Sequence, residues 1–106
     1  MPDLSRTFAA LSDTTRRAIV AQLADGDMPI SDLAAPYAMS LTAVSKHVRV
    51  LSDAGLVRVT KRGRTRYCSL MATPMKDAAE WLDGYRAFWD GQFDSLSRYL
   101  DDLDKN

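Results

Sequence analysis

Hydrophobic residues in the first half of the chain recur every three or four positions, which predicts a series of short amphipathic helices. The first helix is expected over about residues 3–11, and Asp13 is suited to cap a second helix that ends before Asp25-Gly26-Asp27. The positions expected to face inward are Leu4, Phe8, Leu11, Ala18, Ile19, Val20 and Leu23. Met28-Pro29-Ile30 is predicted to be extended, because the residue before a proline avoids the helical region.

A brief helix capped by Ser31 is predicted next, followed by a break at residues 38–40 and a longer helix over about residues 41–54 that is capped by Ser40. Val44, Val48 and Leu51 recur at i, i+4 and i+7 in the longer helix, so they are expected to face the core. Gly55 ends that helix, since glycine readily adopts the left-handed conformation that follows many helices. Two helices joined by so tight a break form a helix-turn-helix.

The hydrophobic period changes from helical to alternating after Gly55. Residues 56–61 and 65–70 are predicted to form two strands joined across Arg62-Gly63-Arg64 as a β-hairpin. Thr73-Pro74 then opens a last helix over about residues 75–103, with Thr73 as the cap and Pro74 at the first helical position. The predicted order is α-α-α-α-β-β-α, a mainly α winged helix-turn-helix, in one domain of 106 residues.

Positive charge is concentrated in residues 40–70, which carry seven basic side chains against the single acid Asp53 and therefore a net charge of +6. Residues 1–39 carry −2 and residues 71–106 carry −4, so the whole chain is neutral. A basic stretch between acidic flanks predicts a polyanionic partner. Because this stretch coincides with the helix-turn-helix and the hairpin, the expected polyanion is double-stranded DNA.

The second helix of a helix-turn-helix lies in the major groove, with its first residues near the base edges. Thr42, Ser45, Lys46 and Arg49 are predicted to point outward, with His47 close to the boundary between surface and core. Thr42 and Ser45 can bond to bases or phosphates, while Lys46 and Arg49 supply charge and donors. The hairpin adds basic residues suited to backbone or minor-groove contact, namely Lys61, Arg62, Arg64 and Arg66.

Several segments of the chain resemble the ArsR/SmtB family of bacterial winged-helix repressors. They are FAALSDTTRR at residues 8–17, LTAVSKHVRVL at residues 41–51, AGLV at residues 54–57 and RGRTRY at residues 62–67. The resemblance covers about residues 4–70. It implies operator binding through Leu41, Thr42, Ser45 and Lys46, and repression that a signal relieves. It also implies a dimer built from the terminal helices.

The last predicted helix carries an apolar, aromatic stripe that is too wide for a lone exposed helix. Part of the stripe is expected to cover the core of its own chain, and the rest to pack on a second copy. A pocket for a small hydrophobic effector is an alternative use of the same residues. A two-fold pair would read an inverted repeat. The predicted dimer residues are Leu4, Phe8, Leu11, Trp81, Leu82, Tyr85, Phe88, Trp89, Leu96 and Tyr99.

Metal sensors of the resembled family place cysteines at the start of the helix-turn-helix, where residues 28–33 of this chain contain neither Cys nor His. The last helix offers carboxylates without a histidine, at Asp77, Glu80, Asp83 and Asp90. Carboxylates alone suit zinc and soft ions poorly, so we expect a solvated helix face and no metal or other cofactor. Cys68, the only cysteine, is expected to be a small buried strand residue, with reaction or pairing across subunits as the alternative.

The sequence contains no apolar run long enough to span a membrane and no leader pattern, so a cytoplasmic protein is expected. The predicted function is that of a homodimeric repressor that binds an inverted-repeat operator and responds to an unidentified signal. The alternative is a winged-helix protein-interaction module that uses the aromatic last helix. An enzyme is disfavoured, because no nucleophile lies beside a suitable base and no phosphate-binding glycine motif is present.

Overall fold

The computed structural model describes residues 3–104, which form six helices and a three-stranded antiparallel sheet. In chain order the elements are α1 (Leu4–Ala10), α2 (Thr14–Ala24), β1 (Met28–Pro29), α3 (Ile30–Ala34), α4 (Leu41–Asp53), β2 (Val57–Arg62), β3 (Thr65–Leu70), α5 (Ala72–Asp83) and α6 (Arg86–Asp104). The predicted winged helix-turn-helix is confirmed. No helix within residues 3–104 is both long and apolar enough to cross a membrane.

The sheet has one strand more than the predicted hairpin. The extended segment Met28–Pro29 forms β1, which pairs with β3 through Met28↔Cys68 and Pro29↔Tyr67, so the strand order is β1-β3-β2. The sequence predicted the extended conformation of this segment but not its partner. A two-residue strand has no periodicity of its own to indicate pairing, and the distant β3 provides the hydrogen-bonding edge.

Two of the predicted helix caps are confirmed and two are wrong. The side chains of Asp13 and Ser40 cap α2 and α4 by accepting hydrogen bonds from the Arg16 and Ala43 amides. Ser31 does not cap α3, because β1 keeps the chain extended through Pro29 and the helix begins at Ile30, one residue before Ser31. Likewise α5 begins at Ala72, before the predicted cap, and its proline occupies the third position, where a missing N–H costs little.

The core lies between α2, α3, α4 and the base of the hairpin. The predicted inward residues of α4, Val44, Val48 and Leu51, are all buried, which confirms their periodicity. Around them the other buried apolar residues are Ala10, Ile19, Val20, Leu23, Leu33, Leu56, Val57 and Cys68. Burial raises the pKa of the Cys68 thiol, in agreement with the prediction of a buried strand residue.

A glycine turn connects α4, the recognition helix of the helix-turn-helix, to the β2–β3 hairpin, which forms the wing. Gly55 has φ +77°, and the Leu56 amide donates to the Leu51 carbonyl at 2.9 Å while the Gly55 amide donates to the Ser52 carbonyl at 3.0 Å. These two bonds define a Schellman motif, which requires the left-handed conformation that glycine adopts without strain. Since Leu56 is fully buried directly after the turn, β2 begins at a fixed position relative to α4.

The predicted continuous last helix is wrong, because the chain breaks it at Gly84-Tyr85 into α5 and α6. The Tyr85 amide donates to the Leu82 carbonyl, an i to i−3 bond that tightens the last turn, and glycine weakens a helix at the same point. Helix α5 packs on α1, with the Phe8 and Trp81 rings edge to face at 5.6 Å. None of the residues of α6 is buried, so α6 projects from the remainder of a molecule that measures 69 × 35 × 21 Å.

Candidate nucleic-acid interface

The recognition helix presents a polar side opposite its buried one. Thr42, Lys46 and Arg49 are exposed on that side, and Ser45 is half-buried beside them. At the start of the helix Leu41 is 51% exposed, although an apolar residue gains nothing from that position in water. An exposed apolar side chain at the first turn of α4 can contact a thymine methyl group in the major groove.

The register of the wing divides its basic residues between two faces. Strand residues alternate in direction, and Lys61 pairs with Arg66 on the face that also carries the buried Cys68. Arg62 lies on the opposite face, with its guanidinium carbon 4.8 Å from the centre of the Tyr67 ring in a cation–π contact. The sequence predicted all the wing arginines for DNA without distinguishing these faces, because it did not fix the pairing register.

The helix and the wing together line two neighbouring open clefts, of about 330 and 360 Å³. Ser45 and Arg66 line both clefts, so they lie where α4 meets the wing. Leu41 and Arg64 line the first cleft, while Thr42, Lys46 and Arg49 line the second. The structure thus brings most of the predicted DNA-binding residues, separated by up to 25 positions in the sequence, onto one continuous surface.

Ser31 also belongs to this surface, although the sequence did not indicate it. Ser31 is exposed and lines the first cleft with Arg64 and Thr65, because β1 places the start of α3 beside β3. The first helix of a helix-turn-helix usually crosses the DNA backbone, so the position of Ser31 at the start of that helix could have indicated a DNA contact. Its hydroxyl can donate to a phosphate oxygen.

Positive charge on this surface is not neutralised by nearby acids. The pairs of a basic side chain with a carboxylate within 4.0 Å in residues 3–104 are Lys76–Glu80, Arg86–Asp83 and the imidazole of His47 with Asp13. None of these pairs involves the exposed cations of α4 or of the wing. In the described part of the chain those cations therefore remain available for phosphate groups or base edges.

His47 differs from the other predicted DNA-binding residues because its side chain lies against α2. Its Nδ1 atom is 3.4 Å from Nη1 of Arg16 and 3.8 Å from Oδ2 of Asp13, and the side chain is 21% exposed. The pKa of Asp13 is lowered, mainly because its carboxylate accepts the backbone N–H of Arg16, and the nearby charge of the Arg16 guanidinium acts in the same direction.

The predicted dimer residues are divided between α1 and its end, and the C-terminal helices α5 and α6. Leu4 and Leu11 are half-buried in the chain itself, whereas Phe8 is partly exposed against Trp81. Exposed predicted residues on and around α5 and α6 are Trp81, Leu82, Tyr85, Phe88, Trp89, Leu96 and Tyr99. The same stripe includes Phe93, which is 69% exposed, together with Leu100 and Leu103.

No group of three or more His, Cys, Asp or Glu side chains suited to a metal ion occurs within residues 3–104. The carboxylates of Asp77, Glu80, Asp83 and Asp90 belong to α5 and α6, where Glu80 and Asp83 lie near the basic side chains of Lys76 and Arg86.

A helix-turn-helix with an unneutralised basic wing, joined to projecting apolar helices, defines a winged-helix transcriptional regulator. The sequence matches a family model described as a helix-turn-helix domain over residues 11–60. It is 33% identical over 79 residues to the transcriptional repressor SdpR of Bacillus subtilis (strain 168), covering 74% of this chain and 88% of SdpR. The chain belongs to the ArsR family of winged helix-turn-helix regulators, whose members are DNA-binding proteins and not enzymes.

Solved structures agree with this assignment. The crystal structure of an ArsR family transcriptional regulator matches with a TM-score of 0.76 and 37% identity, covering 82% of this chain and 96% of that one. The homodimeric winged helix-turn-helix domain of a possible ArsR-family regulator from Mycobacterium bovis, solved by NMR, matches with a TM-score of 0.61 and 25% identity, covering 84% and 80%.

Proposed function

We propose that this chain is a homodimeric transcriptional repressor that binds an inverted-repeat operator and is released by a signal other than the family's metal ions. The observation that carries the proposal is the continuous basic surface of α4 and the wing, whose cations have no carboxylate partner in residues 3–104. Such a surface attracts the phosphate backbone of DNA and aligns the recognition helix with the groove.

In this proposal α4 enters the major groove. Lys46 and Arg49 donate to base edges or phosphates, Thr42 and Ser45 make shorter contacts, and Leu41 contacts a thymine methyl group. The wing follows the backbone or enters the adjacent minor groove through Lys61, Arg62, Arg64 and Arg66. Arg66, which lines both clefts beside Ser45, would remain closest to the recognition helix.

The projecting helix α6 supports the homodimer. Its apolar stripe is exposed over its whole length, and apolar surface of this extent favours association. Two copies related by a two-fold axis would present two recognition helices to successive major grooves, which doubles the DNA sequence that is read. The M. bovis neighbour is itself a homodimer, which agrees with this arrangement. As a regulator of transcription, the protein would act in the cytoplasm as one domain over residues 1–106.

The same exposed stripe favours a second candidate, a module that binds a different protein through α6. This candidate does not use the basic wing, so we rank it below the repressor. The oligomeric state in solution distinguishes the two, because a stable homodimer covers the stripe.

The proposed function is tested by binding of the purified protein to labelled DNA from just upstream of its own gene, with scrambled DNA as the control, across a salt series. We expect a preference of roughly 10³-fold or more for the upstream fragment, with affinity falling steeply as salt rises. Equally weak binding to both fragments would mean that this fragment lacks the operator or that a ligand is required. An absence of binding even at low salt would contradict the proposal.

The wing is expected to contribute affinity without sequence preference. Replacing Arg62, Arg64 and Arg66 by Gln should weaken binding to operator and scrambled DNA alike, because backbone contacts are independent of sequence. The slope of log affinity against log salt should fall by about 1 for each phosphate contact removed. The matched control neutralises Lys76, Arg86 and Arg98, which lie on α5 and α6. An unchanged slope in the wing variant would exclude the wing from the DNA site.

A further inference from the structure

A small polar cluster joins the middle of the recognition helix to the junction between α1 and α2. Arg16, in the first turn of α2, donates from Nε to the Ala10 carbonyl at 2.6 Å and from Nη2 to the Ala9 carbonyl at 3.3 Å. Its remaining arm, Nη1, lies 3.4 Å from Nδ1 of His47 on α4. One guanidinium thus bonds to two carbonyls at the end of α1 and to a ring on the recognition helix, and the Ala9 carbonyl also accepts from the amide and hydroxyl of Ser12.

The hydrogen-bonding role of His47 follows from its partner. A guanidinium has donors and no acceptor, so a hydrogen bond between the two side chains requires Nδ1 of His47 to be the acceptor. Asp13, with Oδ2 at 3.8 Å from the same Nδ1, caps α2 by accepting the Arg16 amide at 3.0 Å. The cap and the guanidinium are therefore fixed by the same turn of α2.

The direction of His47 separates it from the DNA-facing side chains. Successive residues of an α-helix are about 100° apart, so His47 lies a quarter turn or more from Lys46, toward α2. A second bond holds the end of the same helix, since Nη2 of Arg6 on α1 donates to the Asp53 carbonyl in the last turn of α4. Helix α1 is thereby attached to α4 at two points, to His47 through Arg16 and to Asp53 through Arg6. It also packs on α5 through Phe8 and Trp81.

We infer that Arg16 and His47 are positioning residues, which fix the rotation of the recognition helix relative to α1, and that His47 does not contact a base. This inference rests on the proposed function. Since α1 packs on the helix that leads into α6, the bond between Arg16 and His47 sets the angle at which each recognition helix leaves the dimer. Two half-sites at a fixed separation require that angle, whereas binding to scrambled DNA through phosphates does not.

The test compares two substitutions of His47 that retain an acceptor at different places. In His47→Asn the amide oxygen occupies nearly the position of Nδ1, whereas in His47→Gln it lies one bond further out, near Nε2. We expect His47→Asn to retain operator affinity within about threefold of the natural protein and His47→Gln to lose roughly tenfold, the effect of losing a hydrogen bond to a charged group. Asparagine is the poorer helix former, so its better binding would not come from helix propensity.

A base contact through Nε2 predicts the opposite order, with Gln retaining affinity and Asn losing it, and that order would overturn the inference. Arg16→Lys supplies a second test, because an ammonium group cannot reach all three acceptors in the geometry of the planar fork. We expect it to weaken operator binding without changing the salt slope or the affinity for scrambled DNA. A slope reduced by about 1 would identify Arg16 as a phosphate contact instead and contradict a positioning role.

The double variant Arg16→Lys with His47→Gln should bind the operator no more weakly than the weaker-binding single variant. Both substitutions break the same hydrogen bond, the one between Arg16 and His47, so their effects should not add. Additive losses would show that the two residues act separately. Thermal unfolding of the same variants without DNA keeps this test independent of the proposed function. If the natural protein binds no operator, the proposed function fails, while lower stability of His47→Gln than of His47→Asn still supports the bond and the reverse order refutes it.

Discussion

Replacing Lys46 and Arg49 together by Gln is expected to abolish the preference for operator DNA while leaving the protein folded. Both side chains are exposed on the polar side of α4, and neither forms an ion pair within residues 3–104, so their loss removes no ion pair from the fold. Each specific base contact contributes about 1–3 kcal/mol of discrimination, so operator affinity should fall by at least about a hundredfold. The measurement is the dissociation constant for operator and for scrambled DNA.

The matched control for this prediction is Lys76→Gln with Arg98→Gln, which removes the same charge from exposed positions on α5 and α6. If operator binding depends on net charge alone, the two double variants will lose affinity equally. A circular dichroism melt shows whether each variant is folded. Undiminished operator preference in the Lys46 and Arg49 variant would mean that the outward side of α4 does not read the DNA.

Replacing Phe93 and Leu96 together by Ser is expected to convert the proposed dimer into monomers and to reduce operator affinity by at least about a hundredfold, because a monomer reads only one half-site. Both side chains are exposed in the isolated chain, so the substitution leaves no cavity in the core and should not unfold the protein. Light scattering coupled to size-exclusion chromatography measures the mass, and DNA binding is measured on the same samples.

Gly91→Ala is the matched control for the dimer. Gly91 lies on the opposite side of α6 from Phe93 and Leu96, and a Cβ at this position meets no atom within 4 Å. Alanine should therefore preserve the dimer and stabilise the helix by about 1 kcal/mol. A serine variant that remains dimeric would show that the stripe is not the interface. A natural protein that is monomeric would favour the alternative, in which α6 binds another protein.

The parts of the fold that were predictable have strong local signals. Val44, Val48 and Leu51 follow the helical period, and the chain folds accordingly, since burial of one face of a helix requires that spacing. Gly55 ended α4 as expected, because the turn that follows requires a left-handed residue. The basic stretch and its acidic flanks could also be read directly, since charge belongs to the residues and not to their arrangement.

The errors occurred where a distant partner determines the local structure. Ser31 was a chemically reasonable cap, but pairing of Met28–Pro29 with β3 moved the start of α3 to Ile30. The last helix was predicted as continuous because its apolar residues keep a helical spacing through Gly84, where the chain nevertheless breaks. Spacing alone does not locate such a break, since a weak helix residue in an otherwise regular pattern is often tolerated.

The candidate site was predictable in its residue types but not in its geometry. The sequence indicated a cationic surface built from α4 and the wing, and it included His47 among the DNA contacts. In the structure His47 bonds toward Arg16, 31 positions earlier in the chain, and Arg62 stacks on Tyr67 away from the face that carries Arg66. Both results depend on which strand or helix lies alongside, and no local pattern encodes that.

By itself the sequence determined the helix-turn-helix, the turn at Gly55, the basic character of residues 40–70 and the aromatic stripe near the end of the chain, because each follows from local spacing, backbone freedom or charge. Only the tertiary structure decided the third strand, the break before α6, the two faces of the wing and the attachment of His47 to Arg16. These features depend on contacts between residues far apart in the sequence. Packing of the core brings such residues together, and hydrogen bonds then select among the conformations that local preferences leave open.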